Sequence, residues 1–307
     1  MLKIAVVILN WEKPDITIDT VNSFLKITHK SFTYKIFIVD NGSTDNSVER
    51  FQNLYGKEKA VELLKSSTNL GYVEGNNFGV NHVLQKSFDY LLLANNDILV
   101  DKNFLSQLVT TGQKDKKVGI LGPKIYFAAG YEYHKDRYQK RDIGKVIWSA
   151  GGKIDWNNIF GQNIGLDEVD AGQYDQNNQQ LDFLTGCCLL IKKEVFTAIG
   201  LYDPTFFMYH EDTDFCQRAK RAGFLLEYVA DSKIWHLNSA TAGAGGDLHH
   251  YFLTRNRLLF GMRYASFRTK IALLRESLKT LFNPKSPWQR KAVIDFYCGR
   301  FGKGSWQ

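Results

Sequence analysis

Four short apolar runs, residues 4–9, 35–39, 61–64 and 90–94, are separated by segments whose apolar side chains recur at helical spacing, and this alternation constrains the chain more than any other feature. Runs this short and rich in β-branched residues suit buried strands. Between them, Pro14 suits a helix start with Ile18, Val21 and Leu25 on one stripe. Val48, Phe51, Leu54 and Tyr55 repeat the pattern, with Ser43 and Asp45 as cap candidates. A third helix is predicted over 75–84, and a fourth after Asp101 with Phe104, Leu105 and Leu108 inward. Strict alternation of strand and helix implies a parallel sheet with right-handed crossovers, whose ligand sits beyond the carboxyl ends of the strands. The polar residues at those ends are the first candidates for a site: Asn10 and Trp11, Asp40 and Asn41, residues 66–69, and Asn95 to Asp97.

Composition narrows the class. With 307 residues, 44% hydrophobic and 23% charged, the chain has globular usage and length for a large core, which excludes wholesale disorder and a disulfide-stapled scaffold. The longest uninterrupted apolar runs are six residues, against the roughly 20 needed to span a bilayer. The first residues enter a strand pattern without the regions of a signal peptide, so a cytoplasmic location is expected. Cys187, Cys188, Cys216 and Cys298 are too irregularly spaced for a metal knuckle and read as reduced thiols. The net charge of +7 is unevenly placed: residues 263–307 hold ten basic and two acidic side chains, and residues 1–262 sum to −1. A neutral body without a basic groove disfavours nucleic acid as a partner.

Past Gly119 the alternation breaks down. Residues 118–127 read as a strand and 128–145 as a polar, aromatic insertion. The glycine-rich stretch 149–154 and the polar stretch 161–180 suggest a loop-rich subsite. Residues 181–191 return to the core, 193–199 form a short helix, and 225–229 and 234–236 are two further apolar segments. The expected organisation is a body over 1–262, divided at 119/120, and a tail over 263–307.

Three motifs carry chemistry. Asp40 ends a strand before Asn41-Gly42-Ser43, where it can receive a ligand's hydrogen bonds or cap a turn. Asn95-Asn96-Asp97 could hold a divalent cation through oxygen ligands or simply begin a loop. His210-Glu211-Asp212-Thr213-Asp214 opens a helix whose Asp214 and Arg218 stand at i,i+4. Three carboxylates there exceed what a helix dipole calls for, and one facing a cleft is a candidate general base. His236 follows an apolar segment and is a ligand or a structural histidine. The small-residue run 239–246 suggests a mobile loop but not a dinucleotide fingerprint.

Taken together, these segments resemble the inverting nucleotide-sugar glycosyltransferases of family 2, with the GT-A fold, and within them the rhamnosyltransferase-like branch. The likeness runs over about residues 3 to 262 through Asn10-Trp11, Asp40 to Asp45, Asn69-Leu70-Gly71-Tyr72, Gly75 to Gly79, Leu93 to Asp97, Thr185-Gly186, His210 to Arg218, Trp235-His236 and Arg255-Asn256-Arg257. It implies an α/β GT-A fold with a mixed, mainly parallel sheet flanked by helices. It implies that Asn10 and Asp40 contact the donor's base and ribose, and that Asn69, Gly71, Asn76 and Asn95 line the donor crevice. Asp97 and His236 would bind Mg²⁺ or Mn²⁺, Asp212 would be the base with Glu211 beside it, and Arg255 with Asn256 would serve the diphosphate side or support the site. Only one end of Asn95-Asn96-Asp97 is a carboxylate, so the metal is expected to arrive mainly with the donor phosphates. Glu74 stands where the family's motif usually carries a small residue.

The expected partners are a dTDP- or UDP-sugar and a hydroxyl of a polysaccharide or lipid-linked glycan. Two other readings compete with this one. A nucleotidyltransferase calls for a glycine-rich phosphate loop that Asn10-Trp11-Glu12-Lys13 is not, and a non-catalytic glycan-binding module has no use for both Asp97 and Asp212. In the tail, Phe267, Ile271, Leu274, Leu278 and Leu281 with Arg268, Arg275 and Lys279 predict a basic amphipathic helix ended by Asn283-Pro284. Its stripe either lies on the inner face of the cell membrane or packs on the body or a second subunit in a homodimer.

Overall fold

The structure, a computed structural model, describes residues 1–134, 136–176, 180–237 and 246–306. The first part alternates as expected: β1 (Leu2–Asn10), α1 (Pro14–Phe24), β2 (Phe32–Asp40), α2 (Ser47–Tyr55), β3 (Val61–Lys65), α3 (Gly71–Leu84) and β4 (Tyr90–Ala94). After β5 (Ile98–Val100) come α4 (Phe104–Lys114), β6 (Val118–Phe127), β7 (Ile147–Ser149), and the hairpin of β8 (Gly152–Asp155) and β9 (Phe160–Asn163). Then follow β10 (Cys188–Lys192), α5 (Lys193–Ile199), α6 (Glu211–Arg221), β11 (Leu225–His236), α7 (Asp247–Tyr264), α8 (Phe267–Phe282) and α9 (Pro287–Tyr297).

One sheet runs β3-β2-β1-β4-β10-β6-β11-β5, with β7 alongside β6. The strands from β3 to β4 are parallel, whereas β10 runs antiparallel to both β4 and β6, and β5 antiparallel to β11. The sheet is therefore mixed, because β10 is reached through a long excursion and not through a helical crossover.

Period-two alternation divides the strand side chains between two buried faces. Val7, Phe37, Val39, Leu91 and Leu93 face Val73, Val80 and Val83 of α3. Ile4, Val6, Ile8, Ile36, Ile38 and Leu92 face Val21, Phe24, Phe51, Phe104 and Leu108 of α1, α2 and α4. With both faces covered, the strands read as continuous apolar runs instead of alternating ones. Helix α3 lies close because Gly75 and Gly79 face the sheet; a Cβ there would come within 2.7 Å of Leu9, and of Val39 and Val7 respectively.

Several sequence expectations are corrected. Residues 225–229 and 234–236 belong to one strand, β11, interrupted by an irregularity between Val229 and Lys233. The third helix begins at Gly71, four residues before the expected start. The tail is two helices, because Pro287 starts α9 under a Ser286 cap. Of the two uses open to the tail stripe, packing applies only to its end: Leu281 lies against the core, whereas α8 otherwise buries Thr269, Leu273 and Ser277 and leaves Phe267, Ile271 and Leu278 exposed. The approach to α7 is close because Gly261 leaves room for Leu273, and Ser277 meets the Tyr297 hydroxyl of α9 at 2.7 Å. The polar stretch 161–180 is anchored by Lys124 of β6, fully buried and bonded to Asp170 at 2.9 Å and Asp175 at 2.5 Å. The run 239–246, apart from Gly246, lies outside the described residues. No described helix is long and apolar enough to cross a membrane.

Candidate active site

Asn10 and Asp40 are neighbours because β1 and β2 pair in parallel and end together. Asn10 Nδ2 donates to Asp40 Oδ2 at 3.0 Å, Thr17 Oγ1 donates to Asn10 Oδ1 at 2.7 Å, and the Ser43 amide donates to Asp40 Oδ1 at 3.0 Å. Asn96 Nδ2 extends the chain to Thr17 Oγ1 at 2.9 Å. These buried groups form a fixed floor at the strand ends. Asn41 organises the next wall: its Oδ1 accepts from the Leu70 amide at 2.9 Å, and its Nδ2 donates to Asn69 Oδ1 at 3.1 Å and to the Gly71 carbonyl at 3.0 Å. Gly71 has φ of 80° and lies under the Phe207 ring, so both its conformation and the close approach exclude a side chain. Asn76 is buried and donates to the Tyr72 carbonyl at 2.9 Å, inside its own helix.

Asp97 follows β4 and faces His236, which ends β11; Nε2 of the imidazole lies 3.2 Å from Asp97 Oδ1. The antiparallel register of β5 on β11 sets His236 opposite Ile98, next to Asp97 in sequence. Trp148 of β7 covers the imidazole edge-on at 4.6 Å between centroids.

The opposite side is built by the start of α6. Asp212 Oδ2 accepts from the Gly186 amide at 2.7 Å, and its Oδ1 from the Thr213 amide at 2.6 Å. Burial raises the Asp212 carboxyl above its ordinary range, opposed by those same hydrogen bonds. Glu211 is more deeply buried, and its Oε2 has no hydrogen-bond partner among the described residues. Burial first and the Asp212 charge second push Glu211 well up. Asp214 is structural: it receives Arg218 at 2.7 Å, Arg263 at 3.0 Å and Tyr264 at 2.7 Å. The three acids that looked alike in sequence thus have three different environments.

Tyr72 joins the two sides. Its hydroxyl donates to Asn95 Oδ1 at 2.9 Å and lies 3.3 Å from the Gly186 carbonyl. Burial, and then the charges of Glu211, Asp212 and Asp97, raise this phenol well above its usual value. Asn95, two residues before Asp97, is thus linked through Tyr72 and Gly186 to Asp212. Neither Tyr72 nor Gly186 was singled out from sequence, although both stand in the motifs Asn69-Leu70-Gly71-Tyr72 and Thr185-Gly186 that carried the resemblance.

Arg255 and Asn256 are both 0% exposed, which suits the second of their two expected roles, support of the site, and not a direct contact with the diphosphate. Asn256 Nδ2 donates to the carbonyls of Phe206 and Met208 at 2.7 Å and of Tyr209 at 3.0 Å. Arg255 reaches the Thr205 and Phe206 carbonyls at 3.3 and 3.2 Å. Phe207, Tyr209 and His210 all have φ between 64° and 70°, a conformation that non-glycine residues adopt only under constraint. The turn aims its carbonyls at α7, and the α7 side chains hold it in place. Helix α7 is itself held by the tail, where Tyr251 donates to Asp295 at 2.5 Å and Ser305 bonds the same carboxylate.

Asp97 and His236 offer an oxygen and an imidazole nitrogen, a donor set that suits Mn²⁺ or Mg²⁺ when phosphate and water complete the shell. No cluster of three or more candidate ligands occurs among the described residues. The two described donors leave the rest of such an ion's shell to other ligands.

Comparison with known proteins bears on the family and the fold. The sequence profile of the glycosyltransferase like family 2 matches residues 3–258. The N-acetylglucosaminyl-diphospho-decaprenol L-rhamnosyltransferase of Mycobacterium tuberculosis is 25% identical over 224 residues, 68% of each chain. The low-salt glycan biosynthesis hexosyltransferase Agl10 of Haloferax volcanii is 24% identical over 219 residues, covering 71% of this chain and 62% of its own. Among solved structures, GalNAc-T7 with UDP, GalNAc and Mn²⁺ aligns with a TM-score of 0.68 at 17% identity, over 97% of this chain and 55% of that one. The mannosyltransferase PcManGT of Pyrobaculum calidifontis, in complex with GDP-Man and Mn²⁺, aligns with a TM-score of 0.56 at 12% identity, over 96% of this chain and 74% of that one. These likenesses show the GT-A fold, and with the profile match over most of the sequence, the chain belongs to the family-2 glycosyltransferases.

Proposed function

We propose that the protein transfers a sugar, rhamnose or another hexose, from a dTDP- or UDP-sugar to a hydroxyl of a polysaccharide or lipid-linked glycan, with inversion, at the inner face of the membrane. The observation that supports this reading is the hydrogen-bonded link from Asn95 through Tyr72 and Gly186 to Asp212, which brings the carboxylate proposed as base near the Asp97–His236 pair proposed to hold the ion. The named rhamnosyltransferase and hexosyltransferase relatives support the sugar class.

The acceptor hydroxyl is a poor nucleophile at neutral pH. Asp212, ionised, takes its proton as the oxygen attacks the anomeric carbon from the face opposite the nucleotide. The bond to the diphosphate breaks with its electron pair leaving on the phosphate oxygen, so one carboxylate suffices for inversion. A divalent ion held by Asp97 and His236 would supply charge neutralisation to that diphosphate. Burial raises the basicity of Asp212, and the Gly186 and Thr213 amides fix where its oxygens point. Asn10, Asp40, Asn69 and Gly71 shape the crevice for base and ribose, while Asn95 is oriented by Tyr72.

The reading is tested by incubating the protein with a panel of dTDP- and UDP-sugars and Mn²⁺, and following nucleotide diphosphate release and the anomeric configuration of the product. Inverted product with one donor is expected. Retained configuration, or release of pyrophosphate from a nucleoside triphosphate, would overturn it.

A further inference from the structure

We infer that the solvent face of α8 is a docking surface for an anionic lipid bilayer, with the helix lying in the plane of the headgroups. Helix α8 has two faces. One, carrying Thr269, Leu273 and Ser277, is buried, with Leu273 against Gly261 of α7 and Ser277 2.7 Å from Tyr297 of α9. The other carries Phe267, Ile271, Leu278 and Phe282, which are 79, 36, 49 and 89% exposed. Spacings of three and four residues place these side chains, with half-buried Leu274, on one stripe. At 1.5 Å per residue the stripe is about 22 Å long. A tail fold that already buries the opposite face has no packing use for two phenylalanines left in water.

The charges select the occupant. Arg268, Arg275 and Lys279 lie along one edge of the stripe and Lys270 along the other. Arg268, Lys270 and Arg275 form no ion pair with an acidic group among the described residues. The acid of this helix, Glu276, sits toward the body and is paired with Arg257 at 2.8 Å. A second copy meeting this face through a two-fold axis would bring Arg268, Arg275 and Lys279 against their own counterparts, which like-charge repulsion opposes. A bilayer with anionic headgroups meets both demands, since the aromatic and aliphatic side chains enter the acyl boundary while the basic flanks reach phosphate. The inference rests on the inner-face location in the proposed function and names the surface that holds the protein there, but its measurement needs neither donor nor acceptor, so it can fail while the transferase reading stands.

The test uses the full chain and sedimentation with vesicles of phosphatidylcholine alone, or with about 30% phosphatidylglycerol, at low and high salt. The expected result is binding at least about tenfold tighter to the anionic vesicles and weakened by salt. Phe267→Ser with Leu278→Ser and Phe282→Ser, and separately Arg268→Glu with Arg275→Glu and Lys279→Glu, should each reduce binding about tenfold or more. These side chains are exposed, so both variants should keep the wild-type thermal midpoint. Absence of binding to either vesicle by the native chain overturns the proposal, as does unchanged binding of the serine variant. A native dimer that the serine variant converts to monomer, without lipid binding by either, assigns the face to a second copy and also overturns it.

Discussion

The Gly186 amide points at Asp212 Oδ2 from 2.7 Å, so the carboxylate proposed as the base is aimed by a backbone group from a segment 26 residues earlier in the chain. The same glycine has no room for more: a Cβ would lie 3.2 Å from Asp212 Cβ and 3.4 Å from the Tyr72 hydroxyl. Base, glycine and tyrosine are packed as one unit.

Asp212→Asn should lower turnover about 100- to 10,000-fold, the usual range for loss of a general base. Nucleotide diphosphate affinity, measured calorimetrically with Mn²⁺, should stay within about twofold, because the change lies across the cleft from Asp97. In the native enzyme the base acts only when ionised. Since burial raises its pKa, the acidic limb of the kcat/KM profile should sit above the ordinary aspartate value of 3.8.

Gly186→Ala tests the aim without removing the base. The added methyl must displace Asp212 or Tyr72 by a few tenths of an ångström. Turnover should fall about tenfold, since reacting groups in a near-attack geometry tolerate little displacement. Donor KM should be nearly unchanged, and an equal loss in both parameters would argue against an effect on the base.

Asn256→Ala removes the donor shared by three carbonyls of the turn before α6. It should destabilise the protein by about 2 to 4 kcal/mol, because buried acceptors are left unsatisfied. Turnover should fall while donor affinity holds. Loss of donor affinity with stability intact would restore a direct contact with the diphosphate.

His210 gives a pH prediction for stability. Burial, helped by the Arg257 charge, lowers its pKa from 6.5 to about 4. A depressed folded-state value means that the unfolded chain binds more protons between those limits. Stability is therefore full above pH 6.5 and is lost as pH falls toward 4, by about 3 kcal/mol from this group. Asn suits the φ of 70° and does not titrate, so His210→Asn should flatten the thermal midpoint against pH over that window.

The residues at the strand ends were legible in the sequence because apolar runs fix the strands, and alternation with helices fixes which end of each faces the cleft. That rule alone makes Asn10, Asp40 and Asp97 candidates, and their expected roles came from the family likeness. The family likeness added Asp212 and His236, which no local pattern separates from a helix cap or a core histidine. The antiparallel course of β10 was not legible in any local pattern, because period and length specify a strand but not its direction. Which of its two expected uses the α8 stripe serves was not legible for a similar reason: amphipathicity marks a face but not its occupant, and only the seating of Leu273 on Gly261 shows that Phe267, Ile271 and Leu278 are left exposed.

The sequence by itself determined that a parallel α/β core would carry a polar crevice, since local burial patterns suffice for that. Only the tertiary structure separated Glu211, Asp212 and Asp214, which adjoin on one helix turn yet differ in burial and partners. It also showed what Arg255 and Asn256, expected to serve the diphosphate side or support the site, bond to: the carbonyls of the turn before α6. Burial and hydrogen-bond partners arise from residues up to a hundred or more positions away, such as Tyr72 on Gly186, and no local spacing encodes them.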